Sequence, residues 1–336
     1  VLVTGASGLL GRSTAQLLIA RGDEVTVLQR RPSGLACREV LGDIADRQAV
    51  LRAVSAQEAV LHLAAKVDVC GRWTDYARVN VEGTSNVLHA CRSRRVPRLV
   101  HVSSPSVAYG GSPLVGVGAA PADPARARGN YSRSKAIAEV SALSADVDEL
   151  SVLVIRPHLV WGPGDTQLVK PVVDRARQRR LPVISGGAAL VDTTYVDNAA
   201  TALVAALDAC GPVHGEALVV SNGEPRPIKE ILTRLCAAAG VPGPTMKVPF
   251  TAAWLAGAVA DAACALSRQR IRPALTRFTA EQMATAHWFD QRRSRDALKW
   301  SPHVSLDEGF ARLAEWYGDG ASGDALPQHE LGKSSR

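Results

Sequence analysis

The chain has 336 residues, of which 46% are apolar and 21% charged, with a formal net charge of +7. That is globular composition, long enough for one large α/β domain or two interlocked ones, and it excludes a disordered polymer. The positive balance does not read as a nucleic-acid surface, because aromatic residues are only 4% and the arginines are spread along the chain, leaving no stacking platform.

The first residues form a short apolar run that leads to Gly5, Gly8 and Gly11 at G-x-x-G-x-x-G spacing, then to a helical pattern through Leu17, Leu18 and Ile19. Strand, glycine turn and helix in that order bind a pyrophosphate: the glycines admit it to the backbone, and the helix N-terminus offers unpaired N–H groups. Gly5, Ser7, Gly8, Leu9, Leu10 and Gly11 are the residues this turn presents to a dinucleotide. A second strand ends in Gln29-Arg30-Arg31, where an NAD-specific site carries an acid for the ribose 2′-hydroxyl. Two arginines in that place can pair with a 2′-phosphate, so the expected cofactor is NADP, with NAD left open. Asp43 and Ile44 follow a third strand, and Asp43 suits the adenine edge.

Alternation continues with a strand over 59–65, a helix around 80–91 and a strand over 98–104. Near-continuous apolar runs between helical patterns denote a parallel sheet covered on both faces, with ligands at the carboxyl ends of its strands. Leu63, Ala64 and Ala65 fall at one such end and Ser103 and Ser104 at the next, which places Ser104 to hydrogen-bond a substrate oxygen. Residues 110–129, rich in Gly, Pro and Ala, read as a lid that can move. Tyr131 and Lys135 then project from one helix face. A phenol titrates near ~10 and serves as acid or base at neutral pH only where a fixed cation, here Lys135, stabilises its phenolate. Glycine turn, serine pair and Tyr–Lys pair together define hydride transfer between a nicotinamide cofactor and a carbonyl or alcohol.

A sixth strand over Ser151–Pro157 runs into His158, the one histidine expected near this chemistry; with Tyr131 as the acid, His158 is positional. The expected architecture is α/β, a doubly wound parallel sheet (Rossmann) with a smaller, mostly C-terminal substrate lobe. The dinucleotide-binding part takes 1–164, with a return to the sheet near 193–220; the lobe takes 165–192 and 221–317; 318–336 is a disordered tail. In the lobe, Trp254, Leu255, Ala258, Val259, Ala262 and Leu266 recur at helical spacing and are expected to line a pocket for a long alkyl chain. The stretch is too short and alanine-rich to span a membrane, and Asp261 interrupts it. Its other reading is an interfacial helix assisted by Arg268, Arg270 and Arg272, a peripheral membrane contact through 250–272. The six cysteines are far apart and form no C-x-x-C, so neither a metal site nor a disulfide framework is expected, and the compartment suited is the cytoplasm.

With these residues in order, the chain resembles an extended short-chain dehydrogenase/reductase across nearly its whole length. The glycine turn, Gly42-Asp43, residues 62–65, Asn80 with Gly83-Thr84, Ser103-Ser104, Tyr131 with Lys135, Arg156-Pro157 and residues 161–164 match successive motifs. Within that family it resembles the 3β-hydroxysteroid dehydrogenase-like branch, on residues 156–164, 191–198, 275–278 and 285–290. It is especially similar there to the bacterial 2-alkyl-3-oxoalkanoate reductases of long-chain olefin biosynthesis. The resemblance implies that Tyr131 is the acid/base, that Lys135 lowers its pKa and holds the ribose, and that Ser104 orients the carbonyl. Asn80 and Pro157 would lie by the nicotinamide, and His158 is counted among the cofactor-binding residues. This chain reads Ser103-Ser104-Pro105-Ser106 where relatives read otherwise, which leaves Ser103 and Ser106 open for the role of Ser104. The implied activity is NADP(H)-dependent reduction of a long-chain 2-alkyl-3-oxo acid, a small apolar substrate, by a homodimer or a member of a biosynthetic complex. Competing readings are a 3β-hydroxysteroid dehydrogenase, a nucleotide-sugar epimerase, and a non-catalytic NADP-sensing regulator; the last usually lacks the Tyr or Lys retained here.

Overall fold

The computed structural model describes residues 1–68, 70–266 and 275–320. Seven parallel strands form the central sheet: β1 (Leu2–Thr4), β2 (Thr26–Gln29), β3 (Arg38–Leu41), β4 (Ala59–His62), β5 (Arg98–Val102), β6 (Ser151–Pro157) and β7 (Glu216–Val220). Their order across the sheet is β7-β6-β5-β4-β1-β2-β3. All but the edge strand β3 are largely buried, as expected of apolar runs packed on both faces.

Helices α1 (Leu9–Arg21), α2 (Arg47–Val54), α3 (Gly83–Arg94), α4 (Gly129–Leu143) and α5 (Val196–Ala209) cover the sheet. On one face Ala15 and Leu18 of α1 meet Leu203, Ala206 and Leu207 of α5 over Val3, Leu61 and Val100. On the other, Val50 and Val54 of α2, Val87 and Cys91 of α3 and Ala142 of α4 pack over Leu2, Val60 and Leu99. After β1 the chain moves outward to β2 and β3, then returns to β4 on the opposite side. The crevice between the ends of β1 and β4 is therefore the switch point at which such sheets bind ligands.

The remaining residues add a lobe with a third core, in which Trp161 stacks on Phe310 and meets Tyr195 edge-on, under helices Val169–Arg177, Ile228–Ala238 and Leu306–Gly318. A second, four-stranded sheet joins Arg226–Pro227, Leu190–Val191, His287–Phe289 and Leu114–Val117 in that order. This sheet corrects the reading of 110–129 as a lid. Leu114–Val117 pairs in parallel with His287–Phe289, and the Ala120 carbonyl accepts from Arg156 Nη1 at 2.7 Å, so the segment is stitched to both sheets. Helix Leu306–Gly318 runs to the point where the tail was expected to begin, and 321–336 lie outside the described residues.

The helix Phe250–Leu266 also departs from expectation. It seats Ala253 and Gly257 against the neighbouring helix Arg277–Ala284, and a Cβ at Gly257 would come within 2.6 Å of the Arg277 backbone nitrogen. Small residues permit that approach, so they take the buried side, and the larger apolar residues turn outward. Leu255 is 59% and Val259 71% exposed, Ala262 is exposed, and Trp254 and Ala258 lie on the flank. The face built from these residues does not line an enclosed pocket. The side chain of Leu266, with Arg268, Arg270 and Arg272, lies outside the described residues.

One buried ion pair joins helix to sheet. Arg156 of β6, 1% exposed, meets the fully buried Glu139 of α4, with Nε donating to Oε2 at 3.0 Å and Nη2 to Oε1. Removing one partner strands the other charge, so Arg156→Ala should lower unfolding free energy by about 3–5 kcal/mol. Urea denaturation measures this, and a loss below about 1 kcal/mol would mean the pair is not buried as described.

Candidate active site

The glycine turn lies at the switch point. Gly5 has φ +80, and a Cβ there would sit 2.8 Å from the Ala64 nitrogen; a Cβ on Gly11 would collide with the Gly5 carbonyl oxygen. The turn therefore presses against the end of β4 on one side and against the start of α1 on the other, a cradle that any side chain would fill. Ser7 and Gly8 are exposed at its rim, Leu9 and Leu10 are half-buried, and α1 begins without a side-chain cap, so its first N–H groups face the crevice.

Beneath the cradle runs a buried polar chain. Thr4 Oγ1 accepts from the backbone N–H groups of Leu63 and Ala64, each at 3.1 Å, and lies 2.8 Å from His62 Nδ1. His62 Nε2 is 3.0 Å from Thr84 Oγ1, which donates to the Asn80 carbonyl at 2.7 Å. Asn80 sits in a π-helical turn, Ala77–Glu82, a distortion common at functional sites. Its amide clasps the Lys66 backbone, accepting at 2.7 Å and donating at 3.0 Å, and donates to Ser134 Oγ at 2.9 Å; Ser134 in turn donates to the Tyr131 carbonyl at 2.7 Å. These links fix the β4 loop, Ala65 included, relative to the first turn of α4.

On the outer side, Gln29 is buried with Oε1 unpartnered, while Arg30 and Arg31 are exposed and, among the described residues, form no ion pair. No acid stands at the tip of β2, but Glu39 reaches there from β3. Its Oε1 accepts from the Ser33 N–H at 2.7 Å, from the Ser33 hydroxyl and from Gln29 Nε2 at 3.4 Å. Asp43 accepts from the Ala45 N–H and from Arg78, each at 3.0 Å; despite burial, these bonds and the nearby Arg30 charge hold its carboxyl below the usual range. Ile44 is buried against Gly83 of α3.

Three serines end β5. Ser103 is buried with its hydroxyl unpartnered. Ser104 caps the short helix Pro105–Ala108, its Oγ 3.0 Å from Ser106 Oγ and accepting from the Ser106 N–H at 3.3 Å. Ser104 is the one whose hydroxyl bears on Tyr131. Burial pushes the phenol above its ordinary value and Ser104 draws it partly back.

Lys135 lies one helical turn on, 3% exposed, with Nζ donating to the Val102 carbonyl at 2.6 Å and standing 3.5 Å from His101 Nε2. Burial and Ser104, rather than Lys135, set the direction of the Tyr131 shift in this structure. The ammonium is drawn to Val102, and burial dominates the phenol. Burial also lowers Lys135, to about 8, against the opposing pull of Glu139. Glu139 follows Lys135 by four residues on α4, so Tyr131, Lys135 and Glu139 share one face, and the Arg156 pair anchors its end.

Two histidines that sequence reasoning left aside stand closer to this chemistry than His158. His62 and His101 are register partners on β4 and β5, with ring centroids 5.3 Å apart. Burial and the Lys135 charge push His62 down to about 3 and His101 well below its ordinary value, so both are neutral beside the ammonium. Their shared signal was a histidine near the carboxyl end of each of two neighbouring strands. Pro157 ends β6 opposite Val220. The His158 ring packs edge-on against His287 and Phe289 of the second sheet, each at 4.9 Å, and burial keeps it neutral.

The glycine cradle and the unpartnered Gln29 and Ser103 oxygens fit a dinucleotide, with a proton donor, a hydroxyl and an ammonium at its reactive end. Residues 1–221 match the NAD dependent epimerase/dehydratase family. Over 322 residues the chain is 40% identical to a 2-alkyl-3-oxoalkanoate reductase of Stenotrophomonas maltophilia, covering 93% of this chain and 98% of that protein. It is 36% identical over 326 residues to the 2-alkyl-3-oxoalkanoate reductase of Shewanella oneidensis, covering 93% and 84%. Among solved structures, MoeE5 in complex with UDP-glucose and NAD superposes with a TM-score of 0.74 at 26% identity, over 96% of this chain and 99% of that one.

Two measurements follow from this geometry. Tyr131→Phe should lower dinucleotide-dependent turnover by a factor on the order of 10²–10⁴ while dinucleotide binding persists. Lys135 is charged below its value of about 8 and neutral above it, so reductive kcat/KM should fall as pH rises through about 8. Glu139→Gln removes the group that holds Lys135 up, and should move that limb to lower pH. A limb that stays in place in the variant would dissociate it from Lys135.

Proposed function

The chain belongs to the NAD dependent epimerase/dehydratase family, within the extended short-chain dehydrogenases/reductases, and from that premise we propose that it reduces the 3-oxo group of a long-chain 2-alkyl-3-oxo acid with NADPH. It is an oxidoreductase of the NAD(P)-dependent kind. The observation that carries the finer reading is the 40% identity, end to end, with a protein named for that reaction, in a chain that keeps Tyr131, Lys135 and Ser104 together.

A nicotinamide dinucleotide held on the glycine turn would supply the hydride for the carbonyl carbon. Ser104 orients the carbonyl oxygen and Tyr131 Oη gives it a proton, leaving a phenolate that recovers its proton from solvent. Lys135, one turn along α4, supplies the positive charge that makes this phenolate tolerable, and Glu139 keeps that charge in place. Gly5, Gly8 and Gly11 admit the pyrophosphate to the α1 N-terminus, and Asn80 holds the Lys66 backbone at the nicotinamide end.

Preference for NADPH is supported by the two exposed arginines after Gln29 and by Glu39, the acid within reach, being occupied by Ser33. A charge-assisted pair to a 2′-phosphate contributes about 1.5–3 kcal/mol. Purified enzyme should therefore favour NADPH over NADH by roughly tenfold to a hundredfold in kcat/KM, and Arg30→Ala with Arg31→Ala should erase the preference. Equal use of both cofactors by the unaltered protein would remove the arginines from the site.

The substrate is tested by NADPH oxidation against 2-alkyl-3-oxo acids of increasing chain length, 3-oxosteroids and UDP-sugars. The expected result is turnover of the oxo acids, with kcat/KM rising with chain length. Activity confined to steroids or UDP-sugars would replace the proposed substrate.

A further inference from the structure

We propose that the outer face of helix Phe250–Leu266 docks the protein on an anionic phospholipid bilayer, lying along the surface without crossing it. The stripe begins at Phe250 and runs through Ala252, Leu255, Ala256, Val259 and Ala262, all exposed, while the opposite side of the helix is buried against Arg277–Ala284. Val259 is 71% and Leu255 59% exposed, the highest values among the exposed large apolar residues, and Met246 and Phe250 extend the apolar surface at the helix start. No helix among the described residues is long and apolar enough to cross a membrane, so such a helix would lie flat.

The chemistry of the face favours lipid over a protein partner. Protein interfaces concentrate their affinity in Trp, Tyr and Arg anchors seated in pockets. Here the outermost residues are Leu, Val and Ala, which offer apolar area without anchors, and acyl chains require nothing more shaped. The charge also complements an anionic surface. The helix's only acid, Asp261, turns to its flank and pairs with Arg277 at 3.4 Å. Exposed Lys247 precedes the helix, within a chain of net charge +7.

The position gives the contact a use. Trp254 Nε1 donates to Glu281 at 3.1 Å, and Glu281 pairs with Arg128 at 2.9 Å, the residue immediately before α4. The helix is thus linked through two contacts to the start of α4, the helix that carries Tyr131, and an apolar substrate dissolved in the bilayer would be presented near that end of the cleft.

The test is co-sedimentation of the full chain with vesicles. Binding is expected to phosphatidylglycerol vesicles at low salt, to weaken at high salt, and to be at least tenfold weaker to phosphatidylcholine. Leu255→Asp with Val259→Asp should reduce binding at least tenfold, with circular dichroism and turnover of a short, water-soluble oxo substrate unchanged because both residues are already solvated. Equal pelleting of variant and parent would overturn the proposal. So would light scattering in which the parent binds no vesicles but self-associates and the variant does not, which would assign the face to a second copy of the chain. The vesicle readout does not depend on the substrate assignment, so either proposal can fail without the other.

Discussion

Keeping an ammonium charged inside a protein is the constraint around which this site is arranged. Lys135 is almost fully buried, and burial alone drives it toward the neutral form. Three arrangements oppose that drift or avoid adding to it. The Val102 carbonyl accepts from Nζ, Glu139 contributes an opposing charge one turn away, and His62 and His101 remain neutral. Arg156 meets the Glu139 carboxylate in the core with two nitrogens, the pairing that a buried charge requires. The pair that secures α4 to β6 thus includes the carboxylate that opposes the loss of the Lys135 charge, one helical turn from Tyr131.

A second constraint, steric in origin, fixes the turn between β1 and α1. The β1–α1 turn approaches β4 so closely that neither Gly5 nor Gly11 has room for a side chain, and Thr4 ties the two strand ends together through the Leu63 and Ala64 N–H groups. β1 and β4 flank the switch point, where the carboxyl ends of the strands leave the crevice in which such sheets bind ligands. The same ends present Ser103 and Ser104, and the polar chain from Thr4 to Ser134 connects the cradle to the first turn of α4. The glycine cradle and the first turn of α4, which carries Tyr131, are held in one network of short contacts.

The parallel sheet was legible because apolar runs four to seven residues long, separated by helical patterns, admit few other arrangements. The glycine turn and the Tyr131–Lys135 pair were legible because their spacing is chemical. What stayed hidden lacked a local signature. The strands of the second sheet are two to four residues long, too short for a period to register, and their pairing joins segments distant in sequence. Glu139 looks like any helical glutamate until β6 brings Arg156 to it, and His101 looks like a strand interior. In Phe250–Leu266 nearly every position is apolar, so periodicity could not tell the inner face from the outer. That choice was made by Arg277–Ala284, which accepts only the side bearing Ala253 and Gly257.

The state of Tyr131 is set by the same burial that acts on Lys135. Burial raises the phenol, the Ser104 hydroxyl offsets only part of that rise, and the Lys135 ammonium is engaged with Val102. A proton exchanged between such a phenol and a substrate oxygen would cross the same two states, phenol and phenolate, whichever way a hydride moved. A cation one turn along α4 would therefore ease both directions alike, and the burial that resists its charge is a cost the fold bears in either case.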